Sequence, residues 1–151
     1  RGRPLWVDGF NVLTTVEAAL SGGVLLRARD GCLRDLASMH GSWRRVDETA
    51  SAAAQVGETL QGWGVAEVRW LLDRPVSNSG RLLLLLRELA AARGLPWQVE
   101  LADSPDRDLA ACGEVVATAD GPLLQRCVGW VDLAGAVVMR CAPTARVLEL
   151  S

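Results

Sequence analysis

The sequence predicts an α/β fold, a three-layer α/β/α sandwich with a mainly parallel sheet of about five strands. Short apolar runs rich in β-branched and aromatic residues alternate with longer segments of helical periodicity. Strands separated by helices of this length imply βαβ units with right-handed crossovers. The chain of 151 residues is long enough to bury a continuous core, so we expect a single domain over 1–151.

The predicted elements follow one another without a linker or a repeat. In chain order they are a strand over 5–7, a helix over 12–20, a polar, insertion-like segment over 21–45 with a helix near 32–39, a helix over 47–63, a strand over 65–72, a helix over 81–93, a strand over 97–101, a helix over 104–112, a strand over 114–118, a short helix over 121–127, extended pieces over 130–133 and 136–139, and a final strand over 147–150.

Local signals justify the boundaries of these elements. Ser21-Gly22-Gly23 breaks the first helix, and either Asp47 or Ser42 serves as the N-cap of the Ala-rich helix that follows. The run from Val65 to Leu72 is the clearest central strand because it is rich in aliphatic and aromatic residues. Gly94 closes the next helix, and Pro105 occupies a favoured early helical position.

Composition excludes several classes of protein. All 16 basic residues are arginine and the formal net charge is −2, so the chain is not a simple polycationic nucleic-acid binder. No apolar run reaches the roughly 20 residues that span a bilayer, and no membrane partner is expected. The four cysteines lack CxxC spacing and there is one histidine, which disfavours zinc and favours a reduced, cytoplasmic compartment. Because the chain begins at Arg1, we interpret it as an excised domain.

Four aspartates stand where predicted strands end: Asp8, Asp73, Asp106 and Asp120. In an open parallel sheet the carboxyl ends of the strands lie at one edge, where ligands bind. Clustered carboxylates repel one another, so they either raise their pKa values or bind a cation. The economical interpretation is a site that binds a hard divalent metal. The natural substrate of such a site is a phosphate ester.

Each aspartate also has a purely structural explanation. Asp8 and Asn11 could cap the following helix, although Gly9 would let the backbone approach a ligand and Asn11 could orient the Asp8 carboxylate or bind a metal-bound water.

The other three aspartates leave similar alternatives open. Asp73 could be there simply to start a turn, and Asp120 could be a helix cap. Asp106 lies in a first helical turn, where a carboxylate favours the helix dipole, and Asp108 is close enough to replace it as a ligand. Asp103 could be the true cap of that helix.

The ordered motifs VDGFN, LLD, PDRDL and VATAD resemble the PIN/NYN-like nuclease superfamily, and its bacterial NYN branch most closely, over residues 5–139. The phrases VDGFNVLTTVEAALSGG and LLDRPVSNSGR also look like a bacterial and archaeal family of uncharacterised domains, which we expect to belong to that superfamily.

The resemblance implies that Asp8, Asp73, Asp106 and Asp120 are catalytic and bind Mg²⁺ or Mn²⁺. Whether one or two metals bind is left open. Supporting roles are implied for Asn11 and Thr118, and Glu48 is a further candidate, although a solvated helix-face glutamate explains it as well.

Two polar segments are candidate phosphate-binding surfaces, because arginine forms bidentate pairs with phosphate oxygens. Ordinary solvated loops are the alternative for both. Their candidate substrate-binding residues are Arg34, His40, Arg44 and Arg45 in the first segment and Ser77, Asn78 and Arg81 in the second.

The expected function is metal-dependent hydrolysis of phosphodiester bonds, with RNA favoured as the nucleic-acid substrate by superfamily analogy alone. Two alternatives stay open. One is a catalytically silent PIN-like module that binds nucleic acid or a protein, and the other is a phosphoesterase acting on a small nucleotide. A homo-oligomer is compatible with the expected function and with both alternatives.

Overall fold

The structure is a computed structural model that describes residues 3–21, 24–27, 32–35, 47–141 and 146–149. Its elements, in chain order, are β1 (Leu5–Asp8), α1 (Gly9–Leu20), β2 (Val24–Arg27), β3 (Leu33–Asp35), α2 (Asp47–Trp63), β4 (Val68–Asp73), α3 (Ser79–Arg93), β5 (Trp97–Ala102), α4 (Pro105–Ala111), β6 (Val115–Ala117), α5 (Gly121–Leu124), β7 (Gly129–Val131), α6 (Leu133–Cys141) and β8 (Arg146–Glu149).

A five-stranded parallel sheet forms the centre of the fold, in the order β5-β4-β1-β6-β7. Strand β1 lies in the middle, with Val7 beside Trp70 of β4 and Ala117 of β6. Because every strand of this sheet runs in the same direction, the carboxyl ends of β1, β4, β5 and β6 lie at one edge. The predicted α/β fold with a parallel sheet of about five strands is confirmed.

Helices cover both faces of this sheet, as side-chain alternation along β1 requires. Leu5 and Val7 point into the main core, to which α1, α2, α3 and α6 contribute buried residues. Trp6 points to the opposite face, where Leu109 of α4 and Leu123 of α5 pack on the sheet. The result is the three-layer α/β/α arrangement.

The first helix begins earlier than predicted, at Gly9 rather than Val12. A Cβ atom at position 9 would lie 3.0 Å from the carbonyl oxygen of Leu71 and would also collide with the side chain of Leu72. Glycine is therefore required here because α1 starts directly against β4. This close approach is made to the sheet, whereas the sequence interpretation assigned Gly9 to an approach to a ligand.

A second, smaller sheet has the order β3-β2-β8, with β2 antiparallel to β3 and parallel to β8. It includes two strands from the insertion-like segment 21–45. The helix expected near 32–39 is wrong over Leu33–Asp35, which form β3 instead, and residues 36–39 lie outside the described part. Antiparallel pairing with β2, the strand that directly precedes β3 in the chain, overrides the local helical tendency.

The extended piece expected over 136–139 is also wrong, since these residues lie within α6. The backbone N–H of Gly135 donates to the Asp132 carboxylate at 3.0 Å, and that of Ala136 donates to the Asp132 carbonyl at 3.1 Å. This cap starts a helix whose apolar face is buried at Leu133, Ala134, Val137 and Val138. Across the described residues, no helix is both long and apolar enough to cross a membrane.

Candidate functional site

A cleft of about 250 Å³ opens at the carboxyl edge of the sheet, where β1, β4 and β5 end. Half of its described lining residues are acidic, which is unusual for a cleft that also has apolar walls. The lining residues are Asp8, Phe10, Asp73, Val76, Asp103, Ser104, Pro105 and Asp106.

Asp8 is the central carboxylate of this cleft. It occupies the N-cap position of α1, but its side chain makes no capping hydrogen bond. Instead, the hydroxyl of Thr118 at the end of β6 donates to Asp8 Oδ2 at 2.9 Å. The helix-capping explanation of Asp8 is therefore wrong for its side chain, which is directed towards the neighbouring strand.

The electrostatic surroundings of Asp8 are unfavourable to its charge. Burial raises its pKa to about 7, the Thr118 hydrogen bond opposes that shift, and the charges of Asp106, Asp120 and Asp73 reinforce it. All four aspartates predicted from the sequence thus lie close enough to influence one ionisation. A half-buried carboxyl with this perturbation, in a cleft, marks a candidate functional site.

Asn11 holds the site together from the first turn of α1. Its side-chain oxygen accepts a hydrogen bond from the backbone N–H of Ala119 at 2.7 Å. This bond ties α1 to the connection between β6 and α5, directly beside Thr118 and Asp120. The sequence interpretation aimed Asn11 at the Asp8 carboxylate or a water, whereas the observed contact of its oxygen is with backbone.

Asp120 is a helix cap, as the structural alternative proposed. Its Oδ1 accepts from the backbone N–H of Leu123 at 3.4 Å, and its own N–H donates to the Thr118 hydroxyl at 3.1 Å. Capping does not remove its charge, which still acts on Asp8 and on Asp106. Asp120 can therefore cap α5 and, at the same time, contribute its negative charge to the site.

Asp106 rather than Asp108 belongs to the cleft. Both lie in the first turn of α4, but Asp106 lines the cleft and Asp108 does not. Burial raises the pKa of Asp106, the charges of Asp120 and Asp73 raise it further, and Arg126 lowers it. Both residues are exposed to solvent, so the position of Asp106 beside the cleft is what distinguishes it from Asp108.

Two residues near α4 refine the sequence interpretation. Ser104, rather than Asp103, takes the N-cap position of α4. Asp103 lines the cleft and is paired with Arg74 at 2.8 Å between Oδ1 and Nε, with its side chain 80% exposed. Asp73 also lines the cleft, and its backbone carbonyl accepts from Val76 N–H at 3.1 Å, so the expected turn after β4 is present as well.

The donor set suits a hard cation, because every charged group lining the cleft is a carboxylate. The carboxylates nevertheless do not meet at a common point: within the part of the chain that the structure describes, no group of three or more His, Cys, Asp or Glu side chains is arranged to hold a metal ion. Side-chain rotation would have to bring them together. Glu48 lies in α2, but its side chain is outside the described part of the structure.

The other predicted substrate-binding residues are only partly placed. Ser77, Asn78 and Arg81 are exposed around the turn from β4 into α3, and only Val76 of this turn lines the cleft. Asn78 has a left-handed backbone (φ 67°) and makes no side-chain cap. Arg34 lies in β3 with its side chain not described, and His40, Arg44 and Arg45 lie outside the described residues.

Sequence reasoning missed the apolar part of the cleft and its nearby cation. Phe10, Val76 and Pro105 line the cleft, and Arg126 acts on Asp106. A signal was present, because each of these apolar residues lies within three positions of a strand-end aspartate.

Comparison with known proteins places the chain in a family. Residues 1–136 match the family described as "Domain of unknown function (DUF5616)". The chain belongs to the DUF5616 family. This DUF5616 domain is also 30% identical over 125 residues to "Uncharacterized protein MJ0935" of Methanocaldococcus jannaschii. That alignment covers 83% of the present chain and 59% of the relative, so the domain corresponds to a little over half of that protein. No solved structure matches the domain.

Proposed function

We propose that this domain is a metal-dependent nuclease that hydrolyses phosphodiester bonds, with RNA as its substrate. One observation carries the proposal: four aspartates from separate strand ends act on one another around a cleft, and burial with their repulsion raises the pKa of Asp8 to about 7. The resemblance of the DGFN, LLD, PDRDL and VATAD motifs to PIN/NYN-like nucleases supplies the reaction class. We further propose a cytoplasmic location.

Asp8, Asp73, Asp106 and Asp120 would hold Mg²⁺ or Mn²⁺, whose preferred ligands are oxygens. When bound, the cation supplies positive charge against the phosphate and lowers the pKa of water. The protein's own residues supply position. Thr118 fixes Asp8 Oδ2 through its hydroxyl, and Asn11 fixes the connection that presents Thr118 and Asp120.

The test is cleavage of labelled RNA in Mn²⁺ by the double variant Asp8→Asn, Asp120→Asn. We expect cleavage to be abolished while the domain stays folded, since asparagine preserves the shape and the acceptor oxygen of each side chain. The matched control is Glu58→Gln, Glu114→Gln, which removes the same number of charges from ion pairs outside the cleft. Unchanged cleavage by the aspartate variant would contradict the assignment.

A second candidate function is nucleic-acid or protein binding without catalysis. It is favoured by the absence, among the described residues, of three carboxylates already arranged around one point. An electrophoretic shift of RNA without cutting in Mg²⁺, Mn²⁺ or Ca²⁺ would select this function over hydrolysis. Turnover of a small phosphodiester that RNA does not inhibit would instead select the small-nucleotide phosphoesterase.

A further inference from the structure

Three apolar side chains share the cleft with the aspartates: Phe10, Val76 and Pro105, here called the apolar wall. Each comes from a different connection of the sheet, after β1, after β4 and after β5. Phe10 and Val76 follow strand-end aspartates and Pro105 directly precedes Asp106. The parallel strand order that brings the carboxylates to one edge therefore places the apolar wall beside them.

Phe10 is the dominant member of the wall. It is the one phenylalanine of the chain, which contains no tyrosine. It is half-buried and packs partly against the main core while also lining the cleft. Side chains held in place by core packing make effective contact surfaces, because little rotamer entropy is lost when a ligand binds.

We propose that the apolar wall contacts an unpaired nucleobase of the substrate while the adjoining phosphate faces the aspartates. This inference rests on the proposed nuclease function and adds the part of the substrate that the cleft recognises. A nucleotide combines a phosphate, which a cation held by the aspartates would attract, with a flat, largely apolar ring system, which fits the three apolar side chains of the cleft. Stacking of bases on aromatic side chains is favourable for every base.

The size of the cleft limits this contact to a small part of the substrate. Its volume of about 250 Å³ lies below the range typical of sites for drug-sized ligands. A base within a duplex is covered on both faces by its neighbours, so it can reach Phe10 only after it leaves the stack, and unstacking costs free energy. An already unpaired base avoids that cost.

The wall also has a simpler effect, which the experiment must separate from base contact. Apolar neighbours desolvate Asp8, and burial is the largest cause of its raised pKa. A wall that only desolvates the carboxylates would change the pH dependence of phosphate binding equally for every phosphate ligand. A wall that contacts a base would change the affinity of base-containing ligands alone.

The experiment compares two phosphate monoesters, AMP and ribose 5-phosphate, by titration calorimetry of the domain in Mg²⁺. We expect AMP to bind about tenfold more tightly than ribose 5-phosphate, a difference of about 1.4 kcal/mol. Phe10→Leu should remove this preference and leave the affinity for ribose 5-phosphate unchanged. The control Leu84→Ala, at a side chain 58% exposed on α3, should keep the preference.

The possible results separate the base contact, the phosphate site and the role of Phe10. Equal binding of AMP and ribose 5-phosphate by the natural sequence would overturn base contact and leave the phosphate site standing. Failure of both ligands to bind would overturn the phosphate site and this inference together. A preference that survives in Phe10→Leu would remove Phe10 from the contact.

Two further measurements keep the test decisive. Should circular dichroism show Phe10→Leu to be unfolded, Val76→Ser in the exposed turn after β4 carries the same expectation, a smaller preference for AMP. A single-stranded oligonucleotide should displace labelled AMP at lower concentration than its duplex. Equal displacement by both would overturn the requirement for an unpaired base.

Discussion

A cavity lies at each of two edges of the sheet, and the two cavities differ in whether their charged residues attract or repel one another. The amino edge has the larger cavity, about 420 Å³, lined mostly by apolar residues such as Leu5, Trp63 and Val65. Its charged lining residues, Arg3 and Glu114, form an ion pair at 2.9 Å. The carboxyl edge has the smaller cavity, about 250 Å³, in which the carboxylates repel one another.

This difference shows why charge rather than size marks the candidate site. A cavity whose charges pair with each other is complete without a ligand, and a surface pair of this kind contributes little. A half-buried carboxyl surrounded by carboxylates raises the free energy of the folded state whenever it is ionised. A bound cation would offset this repulsion. Cation binding at the carboxyl edge would therefore stabilise the folded domain.

The largest expected effect is on metal affinity. Asp8→Asn should weaken Mn²⁺ binding by about 100-fold or more, because changes to residues that only hydrogen-bond a metal ligand already reach that range and Asp8 is proposed as a direct ligand. Glu114→Gln at the amino edge should leave Mn²⁺ affinity unchanged. Titration calorimetry with Mn²⁺ measures both, and equal losses in the two variants would erase the distinction between the edges.

The second effect is on stability as a function of pH. The pKa of Asp8 is about 7 in the folded state and near 3.8 without its surroundings. Between these values the folded state holds a proton that the unfolded state has released, so the unfolding free energy should fall as pH rises through this window. In EDTA we expect this fall to be on the order of 2 kcal/mol larger in the natural sequence than in Asp8→Asn.

Urea unfolding at pH 5 and pH 8 measures this difference. Glu114→Gln should keep the pH dependence of the natural sequence, since that residue belongs to the other edge. A pH dependence in Asp8→Asn that matches the natural sequence would show that Asp8 is not the group that titrates.

Much of this site follows from the sequence, and the reasons are local. Strand-end aspartates are visible because short, largely apolar runs stop at Asp8 and Asp73, and a parallel sheet brings such ends together. The bond between Asn11 and Ala119 is not visible, because it joins residues 108 positions apart through tertiary packing. The parallel pairing of β2 with β8 is hidden for the same reason.

The third effect is on the pKa of Asp8 itself. Thr118→Val removes the hydroxyl that donates to the charged carboxylate, so the pKa of Asp8 should rise further, by roughly one unit. Thr118→Ser keeps a donor and should restore most of the natural value. Carboxyl ¹³C NMR titration gives both values, and an unchanged pKa in Thr118→Val would show that the hydrogen bond does not favour the ionised form.

The smallest effect concerns the cation near the site. Arg126 lowers the pKa of Asp106, so Arg126→Gln should raise that pKa slightly, with Arg126→Lys as the charge-preserving control. The same NMR titration detects the change. A fall in the pKa of Asp106 in Arg126→Gln would contradict the charge arrangement described for the carboxyl edge.

The most direct test of the central claim is a crystal of the domain soaked in Mn²⁺ and measured for anomalous scattering. We expect anomalous density at the carboxyl edge, between Asp8, Asp73, Asp106 and Asp120, with the carboxylates rotated towards it. Anomalous density only elsewhere, or none at a concentration that saturates Mn²⁺ binding in solution, would contradict a metal site at this edge.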